Sequence, residues 1–184
     1  MNDLLKNKWV WVIGGVILLI IIIASRDEKQ SVSTNAQPQT QNTQQETPIK
    51  ELTPEQKLIQ DFLAKEIKLD DELQRGNDEV ANAGREFDYG VPLPYIIKAE
   101  LIFESVLEKS KALNAPPSGE KIKSYLIEAT DNALSGVRKI REGLESYPVN
   151  KTKLEQGIEL YTKSQMPLAR KNEEITKLKQ GAGI

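Results

Sequence analysis

The longest apolar run in the chain is Trp9–Ala24, WVWVIGGVILLIIIIA, sixteen residues without a charge. As a helix rising ~1.5 Å per residue it would be about 24 Å long. That is short for a hydrocarbon core of about 30 Å. Leu4 and Leu5 can extend it, and Lys6 and Lys8 can carry their ammonium groups to the headgroups. Trp9 and Trp11 stand at its N-terminal end, where indole rings favour the membrane interface. The pattern predicts a single-pass transmembrane signal anchor over residues 9–25, with residues 1–8 as a short cytoplasmic end. The competing expectation is a cleaved signal peptide, with an apolar region of about 7–15 residues and a small-x-small cleavage site. Here Ser25-Arg26-Asp27-Glu28-Lys29 follows the run, and Ile23 occupies a position that needs a small residue. Ser31-Val32-Ser33 fits the site, but four charges separate it from the run. The anchor is the better fit. Lys6, Lys8 and the α-amino group precede it, against Arg26 and Lys29 behind it. That small excess favours a cytoplasmic N-terminus and a C-terminal domain outside the cytoplasm.

Residues 26–50, RDEKQSVSTNAQPQTQNTQQETPIK, have Val32 and Ile49 as their only large apolar side chains. Such a segment cannot bury enough surface to offset its ordering entropy. It is expected to be a disordered Gln/Thr-rich linker, with an r.m.s. reach of roughly 28 Å.

Beyond it the apolar positions recur in steps of three and four. Thr53-Pro54-Glu55-Gln56 is a helix start: Thr53 can cap, Pro54 suits the first helical position, and Gln56 completes a capping box. Ile59, Phe62, Glu66, Leu69, Leu73, Gly76, Val80, Ala83 and Phe87 then form a heptad-like seam, with weak points at Glu66 and Gly76 and a candidate break near Gly76. Asp88–Pro94 interrupts the pattern with Gly90, Pro92 and Pro94. A second helix, from about Pro94 to Asn114, carries a broad stripe from Tyr95 to Leu107 and is expected to be the most buried. A third, with Ser118 as its expected cap, steps through Ile122, Tyr125, Ala129, Ala133, Gly136, Ile140, Leu144 and Tyr147, and Tyr147-Pro148-Val149-Asn150 ends it. A fourth, capped by Asn150, steps through Leu154, Gly157 or Ile158, Tyr161, Gln165, Leu168, Asn172, Ile175 and Leu178. Pro167 should kink it or end its first part near Gln165. No segment alternates with period two. The expected architecture is all-α, an antiparallel up-down four-helix bundle over residues 51–180 with a frayed tail at 181–184. Residues 53–88 carry five bases and ten acids (5 − 10 = −5), and residues 150–180 seven bases and four acids (7 − 4 = +3). Opposite charge therefore favours the first and last helices as neighbours, although a surface pair contributes only about 0.2–1 kcal/mol.

Composition removes most catalytic chemistry. The chain has no cysteine and no histidine, which excludes disulfides, thiol nucleophiles, Ser-His-Asp triads and ordinary zinc sites. The net charge of −2 gives no basic footprint for nucleic acid. Glu100, Glu104 and Glu108 share one helical face and could meet a divalent cation only with a second such helix, so a solvated face is the plainer reading. Asp70-Asp71-Glu72 reads as surface. Glycines at 76, 84, 136, 143 and 157 fall inside predicted helices, where each costs about 1 kcal/mol against alanine; close helix packing explains them more simply than a ligand cavity.

No catalytic, cofactor or metal site is therefore expected. The sharpest feature is the bundle end bearing the first and third connections, which carries Phe87, Tyr89, Val91, Leu93, Tyr95, Tyr147 and Val149. These residues either plug the end of the bundle or contact a partner. The sequence thus points to a membrane-tethered, non-enzymatic interaction module, with a small-molecule-binding bundle as the alternative. The expected partners are the lipid bilayer, through residues 9–25, and an unidentified protein or envelope component, with a second copy of the chain as a further option.

Overall fold

The computed structural model describes residues 52–184. The anchor over 9–25 with Lys6, Lys8, Trp9 and Trp11, and the linker over 26–50, lie outside the described residues. Among the described residues there are five α-helices: α1 (Pro54–Arg85), α2 (Leu93–Ala112), α3 (Glu120–Leu144), α4 (Lys151–Lys163) and α5 (Gln165–Ala182). Short 3-10 turns at Phe87–Tyr89 and Pro117–Gly119 join α1 to α2 and α2 to α3. There is no strand among the described residues, and no helix there is long and apolar enough to cross a membrane.

α1 begins as its sequence dictates. The backbone N–H of Gln56 donates to Thr53 Oγ1 at 3.2 Å, and that of Thr53 donates to Gln56 Oε1 at 2.8 Å. The helix then runs 32 residues without a break, about 48 Å. It passes through Gly76 because that position is filled from outside: a Cβ there would lie 2.3 Å from the Phe103 ring of α2. Gly90, at φ 77, ends the 3-10 turn in the left-handed region that glycine tolerates best. Asn150 caps α4, accepting from the Lys153 N–H at 3.1 Å. Ser118 caps nothing; it lies inside the second 3-10 turn, and α3 starts from Gly119 without a side-chain cap.

α4 and α5 form one broken rod, divided at Ser164 ahead of Pro167, so the bundle has four arms. α3 is central, packing against α2, α4 and α5, while α1 packs mainly on α2. The second helix is not the most buried one. Its apolar stripe is wider than its contact face, and Leu101 (62% exposed) and Ile97 (37%) remain at the surface. The core runs from Phe62, Ile122 and Leu126 near the start of α1 to Phe103, Val137 and Leu154 further along.

Candidate functional site

The tip of the bundle is built by its connections. α1 and α2 run antiparallel, as do α3 and α4, so both odd-numbered turns fall at one end. On the first, Phe87 is 38% and Val91 49% exposed, Pro92 is buried, and Leu93 and Tyr95 are half-buried where α2 starts. Lys98 Nζ lies 5.5 Å from the centre of the Tyr95 ring, within cation–π range. Tyr89 closes the 3-10 turn. On the third connection Tyr147 is fully exposed and Val149 is 48% exposed. The bend that displays Tyr147 is fixed on both sides. Ser146 Oγ donates to the Glu142 carbonyl at 2.7 Å, and the Asn150 N–H donates to the Gly143 carbonyl at 3.0 Å. Phe87, Val91, Tyr147 and Val149 therefore each leave apolar surface exposed at this end of the bundle, Tyr147 most of all.

Below the tip the interior is tightly filled. Phe103 and Tyr161 meet with ring centroids 6.3 Å apart. Tyr161 fits because α3 and α4 approach backbone to backbone: a Cβ on Gly136 would sit 2.6 Å from the Tyr161 nitrogen, and one on Gly157 2.7 Å from the Gly136 carbonyl oxygen. The Tyr161 hydroxyl donates to Asn77 Oδ1 at 2.8 Å, and burial, then Asp78, raises its pKa. The helix-interior glycines 76, 136, 143 and 157 mark close approach, not cavities.

The acidic face of α2 is not a solvated row. Glu100 is buried and accepts from Arg138 Nε at 3.1 Å, with Arg141 Nη1 2.8 Å from its other oxygen; Glu104 accepts from Arg138 at 2.9 Å, while Glu108 is exposed. Here arginines of α3 take the place a cation would hold, with a planar fork suited to carboxylates. No cluster that could hold a metal occurs among the described residues.

The least expected feature lies between α1 and α5. Lys171 is buried and donates to Glu66 and to both oxygens of Asp70. The apolar stepping had placed Asn172 in the seam and Asp70 on the surface. The buried positions here are Ser164 at the break and Pro167 and Lys171 in α5, beside the expected Gln165, Leu168 and Asn172, while Ile175 and Leu178 are half-buried. Two signals were present in the sequence: Glu66 inside an otherwise apolar seam, and the opposite net charges of the two helices. A buried acid in a seam calls for a cation on the facing helix.

Beneath this cluster the ends of α1 and α5 and the second 3-10 turn enclose an open cleft of about 520 Å³, whose walls include Thr53, Gln56, Ile59, Ser118, Glu174 and Leu178. Gln56 Nε2 closes one side by donating to the Ala182 carbonyl at 2.8 Å. No protein-family model, curated protein or solved structure matches the chain.

Proposed function

We propose that this protein is a membrane-tethered, non-enzymatic interaction module whose helical bundle docks a protein or envelope component through the tip formed by its first and third connections. The observation that carries this reading is Tyr147, wholly exposed on a bend that hydrogen bonds hold at both ends. Phe87, Val91 and Val149 add exposed apolar surface at the same end. Aromatic side chains presented on ordered turns contribute contact area at low cost in conformational entropy, and they are enriched where proteins meet. In this reading residues 9–25 anchor the chain, residues 26–50 space the bundle from the bilayer, and the bundle works outside the cytoplasm. The alternative, a small molecule held between the helices, finds little support in an interior whose glycines are already packed against side chains and backbone.

The test is affinity capture of the full-length protein from detergent-solubilised membranes of its own cells, scored by quantitative mass spectrometry. The controls are residues 1–50 alone and the full chain carrying Tyr147→Ala with Val91→Ser. A protein enriched by the wild type and lost from both controls supports docking through the tip. Equal enrichment by the tip variant overturns it.

A further inference from the structure

The charges buried between α1 and α5 do not balance. Glu66 and Asp70 stand one turn apart on α1, and both carboxylates bond the single ammonium of Lys171. The side chains of Lys171 and Glu66 are each 1% exposed, and that of Asp70 is 37% exposed. Two ionised acids against one base leave a net negative charge beside Glu66, from which water is excluded, and an uncompensated buried charge is strongly unfavourable. The same groups balance when one carboxyl keeps its proton. Asp70 reaches solvent and Glu66 does not, so negative charge is disfavoured most on Glu66.

We propose that Glu66, Asp70 and Lys171 form a proton-dependent lock between the first and last helices, closed while Glu66 is protonated and loosened when it ionises. The surroundings of Glu66 support the assignment. Asp70 faces it from α1 and Lys171 from α5, and no charge of α2 or α3 is among those acting on it. Lys109 of α2 is engaged separately by Glu72. Burial is the largest influence and raises the Glu66 carboxyl above its ordinary 4.5; Lys171 opposes the rise, and Asp70 adds to it. A carboxyl raised in the folded state stabilises that state fully below its unfolded value. That contribution is lost as pH climbs through the raised value. The lock therefore tightens as pH falls and slackens as pH climbs through the raised value.

The effect should be local to α5. That helix fully buries only Pro167 and Lys171, while Leu168, Ile175 and Leu178 are half-buried. The backbones of α1 and α5 stand apart, so side chains carry the contact between them. The break at Ser164 separates α5 from α4, so the helix can loosen alone.

Hydrogen exchange of the full chain in detergent micelles, from pH 5 to pH 8 and corrected for intrinsic rates, tests this. Opening of the α5 amides should rise several-fold across that range, while amides around Leu126–Val137 in α3 change little. Glu66→Gln, which mimics the protonated carboxyl, should remove the trend and keep α5 as protected at pH 8 as the wild type is at pH 5. A flat wild-type profile, or an unchanged slope in Glu66→Gln, overturns the lock. Carboxyl carbon NMR of Glu66 in the wild type gives an answer that does not depend on a variant folding. A titration midpoint above 4.5 is expected, and one at or below 4.5 overturns the proposal.

Discussion

The fourth arm of the bundle makes two seams, and they are built on opposite principles. Against α3, α4 is close: Gly136 and Gly157 let the two backbones touch, and the one ion pair across it among the described residues, Lys153 to Glu142 at 3.2 Å, lies at the solvent-exposed margin. Against α1, the α4–α5 arm stands off, and long side chains span the gap, Tyr161 to Asn77, Lys171 to Glu66 and Asp70, Gln56 to Ala182. The first seam is dominated by dispersion and apolar burial and is intolerant of added volume. The second depends on matched polar groups and is intolerant of a missing partner. One arm can thus be fixed along its upper part and responsive along its lower part, because only the lower part buries an ion pair.

That contrast is broken most severely at Lys171. Lys171→Ala leaves Glu66 buried without its cation and is expected to lower unfolding free energy by about 3–5 kcal/mol at neutral pH, read by chemical denaturation. Glu66→Met combined with Lys171→Met removes both buried charges at similar volume and should recover most of that loss, or exceed wild type by about 1–4 kcal/mol. If the pair of substitutions is as damaging as Lys171→Ala alone, shape and not charge governs this seam. Next comes Gly136→Ala. The added methyl meets the Tyr161 backbone nitrogen and the Gly157 carbonyl, which cannot swing aside, so α3 and α4 must part at a cost of about 1–3 kcal/mol. Full stability in Gly136→Ala would show that the close seam has slack.

The two seams also differed in how legibly the sequence announced them. Gly136 and Gly157 sit at the expected seam positions, and the caps at Thr53 and Asn150 and the break ahead of Pro167 follow from local chemistry that residues carry wherever they are placed. Lys171 was hidden because stepping by three and four is counted on apolar side chains, and a lysine at a stepping position reads as surface until a facing helix supplies its acids. Glu100 was hidden for a related reason: a row of acids on a helix reads as solvated until a facing helix supplies Arg138 and Arg141. Partnership between distant residues is a tertiary property, and the apolar stripe of α2, too wide for its contacts, shows that burial is decided by neighbours as well.

Tyr161 belongs to both seams, and Tyr161→Phe separates them. The ring and its packing against Phe103 and the α3 backbone remain, and only the hydrogen bond to Asn77 is lost. The expected loss is about 0.5–1.5 kcal/mol, seen as an earlier denaturation midpoint with an unchanged slope. A larger loss, or a changed slope, would mean that the hydroxyl bond holds the two seams together as one cooperative unit.

The smallest effect on stability is expected where the largest effect on binding is sought. Tyr147 shields nothing in the described part of the molecule, so Tyr147→Ala should alter unfolding free energy by no more than about 0.5 kcal/mol. The bend around it is held by bonds from Ser146 and Asn150, which the substitution leaves in place. A side chain that the fold does not use, on a turn that the fold keeps rigid, is the arrangement expected of a contact residue. Denaturation of Tyr147→Ala is the decisive control for capture repeated with that single variant beside the double one. With stability unchanged, lost capture assigns the tyrosine to the partner; with stability reduced by more than about 1 kcal/mol, Tyr147 belongs to the fold after all.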